Sequence, residues 1–232
     1  MLEYDNLKNM NIFDSKMKEK MILDLHEVHI IDFGKFKLKS GIISPYYIDL
    51  RLLVTFPHLL ELVSDVLWEK IRLKPFDLIA GVPYAALPIA TAISLRYNRP
   101  LIFMRKEKKD YGKGKMIEGI YHKGQYVVVI DDVISDGASK FETIKPIEEV
   151  GLEVSQVIVV LDRGQGGVQT VKNKGYHCTA ITNMEEVLEV LYKHGRINYE
   201  QLMECQKFII KTSTNTEMKN TKSSQKIKHA VR

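Results

Sequence analysis

Two adjacent carboxylates and a hydroxyl-rich loop are the residues best suited to chemistry in this sequence. Asp131 and Asp132 follow the apolar run 126–130, which predicts a strand buried on both faces of a parallel sheet. A small loop, residues 135–139, then leads into a helical pattern over residues 140–150. Adjacent carboxylates can accept hydrogen bonds from neighbouring ribose hydroxyls, and backbone N–H groups at a helix start bind anions. The stretch therefore predicts a sugar-phosphate site at the carboxyl edge of the sheet, although such acid pairs also occur in solvated turns.

A cationic segment follows another predicted strand. Residues 105–115 hold six basic and two acidic side chains, two glycines and almost nothing apolar. A solvated surface loop is the simple interpretation. Because the segment follows a strand end, however, it lies on the same sheet edge as the acid pair, where a mobile cationic lid could meet a polyanionic leaving group.

Two further strand ends carry candidate site residues. Residues 81–88 form a backbone-permissive turn after a short buried strand, and their small side chains allow either close helix–sheet packing or close approach of a ligand. Arg163 follows the β-branched run 154–161. Its guanidinium could contact a substrate or pair with Asp162 or a helix terminus, and the pattern leaves both open.

The elements that must position these groups alternate between apolar runs and helical periodicity. An alternating order of strands and helices predicts parallel strands with right-handed crossovers. Ahead of them, the sequence predicts an amphipathic helix over residues 14–30, with Asp14 or Ser15 as its N-cap, and a hairpin over residues 36–50. The expected architecture is one α/β domain with a mostly parallel central sheet flanked by helices.

Composition limits the alternatives. The chain has 232 residues, 45% of them hydrophobic, and a formal net charge of +5. Residues 211–232 account for that whole charge, which predicts a basic, disordered tail rather than a nucleic-acid-binding face. Residues 1–14 are expected to be an N-terminal extension, and residues 15–210 the folded domain. Two cysteines without metal-ligand spacing, and no secretion or membrane-span pattern, favour a cytoplasmic protein without zinc or a membrane partner.

Five segments together resemble the orotate phosphoribosyltransferases, especially the branch found as the N-terminal domain of bifunctional UMP synthase. They cover roughly residues 15–210. The central stretch alone is similar to any type I phosphoribosyltransferase. Lys-Ser-Gly at residues 39–41 and Arg-Lys-Glu-Lys-Lys-Asp at residues 105–110 select orotate. The hairpin segment consists of residues 36–41 and 44–51, and the remaining two segments are residues 81–88 and 161–167. The resemblance implies the type I phosphoribosyltransferase fold with a small N-terminal hood that contains the hairpin.

The implied reaction is attack of orotate N1 on C1 of phosphoribosyl pyrophosphate. Lys109, Arg105, Asp131 and Asp132 would serve catalysis, the acids by holding the ribose hydroxyls. Mg²⁺ would be bound through pyrophosphate, ribose and water oxygens rather than by dedicated protein ligands. The further substrate-binding residues implied by the resemblance are Lys39, Phe36, Tyr84, Lys106, Tyr111, Ser135, Asp136, Gly137, Ala138, Ser139 and Arg163.

Within this set, Arg163 would pair with the orotate carboxylate, Lys39 would reach orotate or pyrophosphate, and Phe36 would line the base pocket. The chain departs from the family pattern at Asp136, where a small or hydroxyl residue is usual. A fixed negative charge beside a phosphate is unfavourable, so we expect Asp136 to face solvent and contribute only its backbone N–H. Ala85 and Tyr111 replace a lysine and a histidine of many bacterial members.

The resemblance also implies a homodimer in which the cationic loop reaches the neighbouring subunit's site, and a separate orotidylate decarboxylase as a possible partner. Two alternatives remain beside an orotate phosphoribosyltransferase. A purine phosphoribosyltransferase would be another enzyme that shares the central stretch, and a regulatory sensor would bind phosphoribosyl pyrophosphate without turnover. A scaffold role, in which the tail contacts the decarboxylase, would add to the enzyme function.

Overall fold

The computed structural model describes residues 2–38, 41–105 and 116–213, with side chains from residue 15 onward. Its helices are α1 (Leu2–Glu27), a 3₁₀ helix (Leu50–Thr55), α2 (Pro57–Ile71), α3 (Ala86–Tyr97), α4 (Ala138–Glu149), α5 (Gly167–Asn173), α6 (Met184–Lys193) and α7 (199–213). Its strands are β1 (Ile31–Lys37), β2 (Ile43–Ile48), β3 (Leu78–Gly81), β4 (Leu101–Met104), β5 (Ile117–Glu118), β6 (Tyr126–Ile134), β7 (Glu153–Asp162) and β8 (Cys178–Asn183).

The central sheet has six strands in the order β5-β4-β3-β6-β7-β8. All neighbours pair in parallel except β4 and β5, which are antiparallel. The predicted α/β fold with a mostly parallel sheet is therefore confirmed. The sequence did not indicate β5, because a strand of two residues carries too little pattern to recognise.

The N-terminal hairpin is present as an antiparallel pair of β1 and β2, with an irregular register between Phe33 and Phe36. It begins at Ile31, earlier than the predicted residue 36. Helix α1 also differs from the prediction, since it begins at Leu2 and not at an N-cap near Asp14, and it ends at Glu27. Residues 2–13 contain no glycine or proline that would stop a helix there.

Strand β6 is longer than predicted and continues to Ile134, so both acids lie within it. The prediction ended this strand at Ile130. Ile130 is also the last residue of β6 that pairs with β3, and its partner there is Gly81. Strand β7 continues alongside and pairs residue 131 with Val159 and Ile134 with Asp162. The acid pair therefore lies beyond the edge of β3 while still supported by β7.

Two apolar cores cover the two faces of the sheet, and β6 contributes to both. Val127 and Val129 belong to the core under α4 and α5, whereas Val128 and Ile130 belong to the core under α1, α2 and α3. Successive side chains of a strand point to opposite faces. This alternation predicts that residue 131 faces α4 and that residue 132 faces the other side.

Two loops at the carboxyl edge of the sheet pack against each other. A Cβ atom on Gly167 would lie 2.5 Å from the Ser135 carbonyl oxygen and 2.6 Å from a side-chain carbon of Ile134. A Cβ atom on Gly137, whose φ is +82°, would lie 2.7 Å from the Gly167 carbonyl oxygen. The loop after β6 and the loop after β7 thus fit together only because both positions lack a side chain.

We expect Gly167→Ala to destabilise the protein by about 1–3 kcal/mol, because its methyl group would displace the Ser135 backbone. Urea unfolding measures this difference. Gly34→Ala is the matched control, since its Cβ would approach Phe36 only to an ordinary 3.4 Å. Equal stabilities of the two variants would contradict the proposed packing of the loops.

Candidate active site

A cavity of about 410 Å³ opens at the carboxyl edge of the sheet. Four of the predicted site residues lie on it: Tyr84, Asp132, Ser135 and Arg163. The rest of its lining is Ile48, Asp49, Leu50, Arg51, Pro83, Ala85 and Val133. The hairpin end, the turn after β3, the end of β6 and the loop after β7 therefore meet around one space.

The structure divides the two predicted acids between the faces of the sheet. Asp132 lines the cavity. Asp131 is only 4% exposed and forms an ion pair with Lys140 of α4, as the alternation along β6 requires. Its other oxygen, Oδ1, accepts a hydrogen bond from the Asp132 backbone N–H at 2.8 Å. Asp131 therefore does not line the cavity, and its role in holding the ribose hydroxyls stays a prediction.

Burial raises the pKa of Asp131 from an ordinary 3.8 to about 7. The positive charge of Lys140 opposes this rise, and the neighbouring Asp132 adds to it. Desolvation dominates because a carboxylate loses its water shell where only one cation replaces it.

Asp136 is exposed, as expected, but its side chain does not simply face solvent. Its Oδ1 accepts a hydrogen bond from the Ala138 N–H at 3.1 Å, at the start of α4. The carboxylate thus has a contact within the loop, and the expectation that only the backbone N–H of Asp136 serves a phosphate stays a prediction. A carboxylate at a helix start is favourable, because free N–H groups there attract negative charge. Ala138 and Ser139 are exposed, and Gly137 is buried against the loop after β7.

Arg163 has unused hydrogen-bonding capacity. Its Nε and Nη2 atoms are buried and have no hydrogen-bond partner among the described residues. Its guanidinium lies over the ring of Tyr46, with 5.4 Å from Cζ to the ring centroid. The predicted alternative of a pair with Asp162 is not what the structure has, since the Asp162 carboxylate accepts from the Gly164 N–H at 2.9 Å. The Tyr46 hydroxyl is a third buried group without a partner, and it lies on the same inner side as these nitrogens. Buried donors without acceptors are costly, so an anion that reached Arg163 from the cavity would gain from pairing with them.

Tyr46 supports Arg163 from inside the core. The ring is fully buried on β2, and its edge contacts Phe208 of α7 at a centroid distance of 5.7 Å. Burial raises the pKa of the Tyr46 hydroxyl, and the charge of Arg163 opposes that rise. A cation over an aromatic face is attracted by the ring quadrupole. Tyr46 was not among the predicted site residues, because an apolar strand position carries no such signal.

Asp49 and Arg51 are the charged cavity residues that the list of predicted site residues omitted. The Arg51 Nε donates to Asp49 Oδ1 at 2.6 Å. This hydrogen bond is the main reason that the pKa of Asp49 is lowered. Charged residues directly after β2 were visible in the sequence, and they could have been added on that ground.

The turn after β3 serves close packing at its first residue, Gly81, and leaves the approach of a ligand to its later residues a prediction. A Cβ on Gly81 would lie 2.9 Å from the Ala90 Cβ, so its lack of a side chain serves close packing of α3 on the sheet. Pro83, Tyr84 and Ala85 are the residues of the turn that line the cavity, and Tyr84 is 66% exposed. Phe36 stacks on Tyr47 at a centroid distance of 5.5 Å and is not among the lining residues.

Arg105 lies at the base of the cationic segment and not on the cavity. Its Nη1 donates to Glu118 Oε1 at 2.8 Å, and its backbone N–H donates to the Met116 carbonyl at 2.9 Å. Lys39, Lys106, Lys109 and Tyr111 fall outside the described residues, as do most of the cationic segment and residues 214–232 of the tail.

In the described part of the chain, no group of three or more His, Cys, Asp or Glu side chains is arranged to hold a metal ion. The same residues contain no helix that is both long and apolar enough to cross a membrane.

Comparisons with known proteins agree with this geometry. A family model described as the phosphoribosyl transferase domain matches residues 53–191. The orotate phosphoribosyltransferase of Chlamydia pneumoniae is 35% identical over 194 residues, covering 82% of this chain and 91% of that protein. The uridine 5'-monophosphate synthase of Bos taurus is 37% identical over 191 residues, covering 82% of this chain and 40% of that protein.

Solved structures give the same picture. Leishmania donovani UMP synthase matches with a TM-score of 0.77 at 40% identity. The match covers 83% of this chain and 42% of the UMP synthase chain. Mycobacterium tuberculosis orotate phosphoribosyltransferase has a TM-score of 0.65 at 26% identity, covering 74% of this chain and 98% of that one. The chain spans about two fifths of the bifunctional relatives. The fold and the family model define a phosphoribosyltransferase, and the near full-length relatives place the chain in the orotate phosphoribosyltransferase family.

The pKa of Asp131 leads to a testable pH dependence of stability. Because this pKa is raised in the folded protein, the unfolded chain releases the proton at lower pH, and the contribution to stability falls as the pH rises. The reference protein is the double variant Asp131→Asn/Lys140→Met, which lacks this titrating group. We expect the free energy of unfolding of the wild type, minus that of the double variant, to fall by about 1 kcal/mol or more between about pH 4 and about pH 7.5. Urea unfolding of both proteins measures this difference. A flat or rising difference would contradict the assigned shift.

Proposed function

We propose that this protein transfers the phosphoribosyl group of 5-phosphoribosyl 1-pyrophosphate to N1 of orotate, giving orotidine 5'-monophosphate and pyrophosphate. The supporting observation is the single cavity that joins Asp132, Ser135 and Arg163. These groups suit ribose hydroxyls, a phosphate and a carboxylate respectively. The reaction would belong to pyrimidine biosynthesis in the cytoplasm.

Asp132 and the loop after β6 suit the ribose phosphate. An ionised carboxylate accepts hydrogen bonds from the ribose hydroxyls, and its position at the end of β6 puts it beside Ser135. The loop offers hydroxyls and the N–H groups at the start of α4 to the 5'-phosphate. The Ala138 N–H already donates a hydrogen bond to Asp136 Oδ1, so the phosphate would compete with Asp136 for it.

Arg163 suits the carboxylate of orotate. A guanidinium can form two parallel hydrogen bonds to a carboxylate, and such charge-assisted contacts contribute about 1.5–3 kcal/mol. The residue lines the cavity, and its buried Nε and Nη2 atoms lack partners among the described residues, so a small rotation of the side chain toward the cavity would give them an acceptor in orotate. A purine base has no carboxylate to occupy them. The likeness to an adenine phosphoribosyltransferase, at 17% identity and a TM-score of 0.51, concerns the fold alone.

Departure of pyrophosphate leaves positive charge on the ribose and gathers negative charge on the leaving group. Cations that meet this charge as it develops lower the barrier. Lys106 and Lys109 are our candidates, and Arg105 would join them only by leaving Glu118. Lys39 and Tyr111 are the remaining candidates for contacts with the substrates. Mg²⁺ would neutralise phosphate charge while bound to pyrophosphate and ribose oxygens, since it keeps water and phosphate ligands readily.

We further propose a homodimer in which the cationic segment of one subunit serves the other subunit's cavity. This segment is too polar to pack on its own domain, with six basic and two acidic side chains among residues 105–115. We also propose association with a separate orotidylate decarboxylase, because relatives of this chain are named bifunctional enzymes and UMP synthases.

The first test is loss of orotate absorbance with orotate, phosphoribosyl pyrophosphate and Mg²⁺, with adenine, hypoxanthine and uracil as parallel acceptors. We expect turnover with orotate alone. Arg163→Gln should lower kcat/KM for orotate by about 10- to 100-fold, because the carboxylate loses its guanidinium. Binding of phosphoribosyl pyrophosphate, measured by calorimetry, should remain within about twofold.

Arg196→Gln is the matched control, because Arg196 forms only an exposed ion pair with Glu27 at 3.2 Å. Equal loss in both arginine variants would remove the proposed role of Arg163. Binding of phosphoribosyl pyrophosphate without turnover of any base would favour the regulatory sensor.

Complementation tests the shared site. Lys39→Ala and Lys109→Ala should each be inactive, and mixed dimers should recover about a quarter to a half of wild-type activity, because one of their two cavities is then intact. Size-exclusion chromatography with differently tagged subunits verifies the mixed dimers. Absence of recovery in verified mixed dimers would contradict sharing.

A further inference from the structure

Lys140 is a buried cation that the sequence did not single out. It is the third residue of α4 and is 3% exposed. Its Nζ pairs with Asp131 Oδ2 and donates to the Val133 carbonyl at 3.0 Å. An ammonium group is almost never fully buried unless it is paired, so this arrangement needs a physical reason.

The contacts of Lys140 lie on either side of residues 135–139, the loop after β6, which we call the phosphate loop. Asp131 and Val133 precede that loop on β6, and Lys140 follows it on α4. One ammonium group therefore ties the two ends of residues 135–139 together from the inner side. The opposite side of the loop touches Gly167, so neither side leaves it much freedom.

The same contacts continue to the cavity through Asp131. While Oδ2 of Asp131 pairs with Lys140, its Oδ1 accepts from the Asp132 N–H at 2.8 Å. The Asp132 backbone is thus fixed by a carboxylate whose own position depends on Lys140. Asp132 is the member of the acid pair that lines the cavity.

We propose that Lys140 is a positioning residue, whose buried ammonium holds the phosphate loop and the Asp132 backbone in the geometry that binds the ribose phosphate. This inference rests on the proposed function only for the identity of the ligand. Lys140 does not line the cavity and acts through Asp131 and the Val133 carbonyl.

A purely structural role makes a different prediction. If Lys140 only neutralises a buried carboxylate, removing both charges together should restore stability and binding alike, because neutral side chains of similar volume replace buried pairs at little cost. If Lys140 positions the loop, the neutral pair should restore stability but not binding. Lys140→Met and Asp131→Asn/Lys140→Met separate the two roles.

The experiment measures three properties of each variant: the melting temperature, the affinity for ribose 5-phosphate by calorimetry, and hydrogen exchange of a peptide containing residues 135–139. Lys140→Met should lower the melting temperature, because it leaves Asp131 buried without a cation. The double variant should recover most of that loss. Its affinity for ribose 5-phosphate should remain about tenfold weaker, and its loop should exchange faster than in the wild type.

Lys145→Met is the matched control on the same helix, because Lys145 is 79% exposed and lies 3.9 Å from Glu149. It should behave as the wild type in all three measurements. Wild-type affinity and loop exchange in the double variant would overturn the proposal. None of the three measurements uses orotate. Absence of orotate turnover would therefore refute the proposed function, while the role of Lys140 would still be decided by these measurements.

Discussion

The alternation of side chains along β6 is the constraint on which the site depends. A strand covered on both faces must send residues 131 and 132 in opposite directions. One carboxylate therefore reaches the cavity, and the other enters the core beneath α4, where it requires a cation. Lys140 supplies that cation from the first turn of α4. The site thus has an outer layer that lines the cavity and an inner ion pair that supports it.

Three loops around the cavity depend on each other in the same way. The loop after β6 is held by Lys140 on one side and by Gly167 on the other. The loop after β7 is joined to β6 by a hydrogen bond of 3.0 Å from the Arg163 N–H to the Ile134 carbonyl. Arg163 in turn rests on Tyr46 of the hairpin. The position of Arg163 therefore depends on its own loop after β7, on the end of β6 and on the hairpin.

The sequence predicted the sheet and the main cavity groups because local pattern determines both. A β-branched run such as residues 157–160 favours a strand, and polar residues after that strand lie at the carboxyl edge of the sheet. The roles of Asp131 and Lys140 depended on which face each residue takes, and the prediction ended the strand too early to apply the alternation. One signal was available for Lys140, since it shares a helical face with Ile144 and Ile147. The support of Arg163 by Tyr46 and Phe208 joins distant segments, so no local pattern could indicate it.

Helix α7 has a consequence for the order in which the protein can assemble. Phe208 contacts the ring under Arg163, and a side-chain carbon of Ile209 lies 2.9 Å from where a Cβ of Gly164 would be. These contacts come from the last described helix, more than forty residues after Arg163 in the chain. During synthesis the sheet, Asp132 and the phosphate loop can form first. The contacts of α7 with Tyr46 and with the position of Gly164 can form only after α7 has left the ribosome, so the surroundings of Arg163 are the last part of the cavity to be completed.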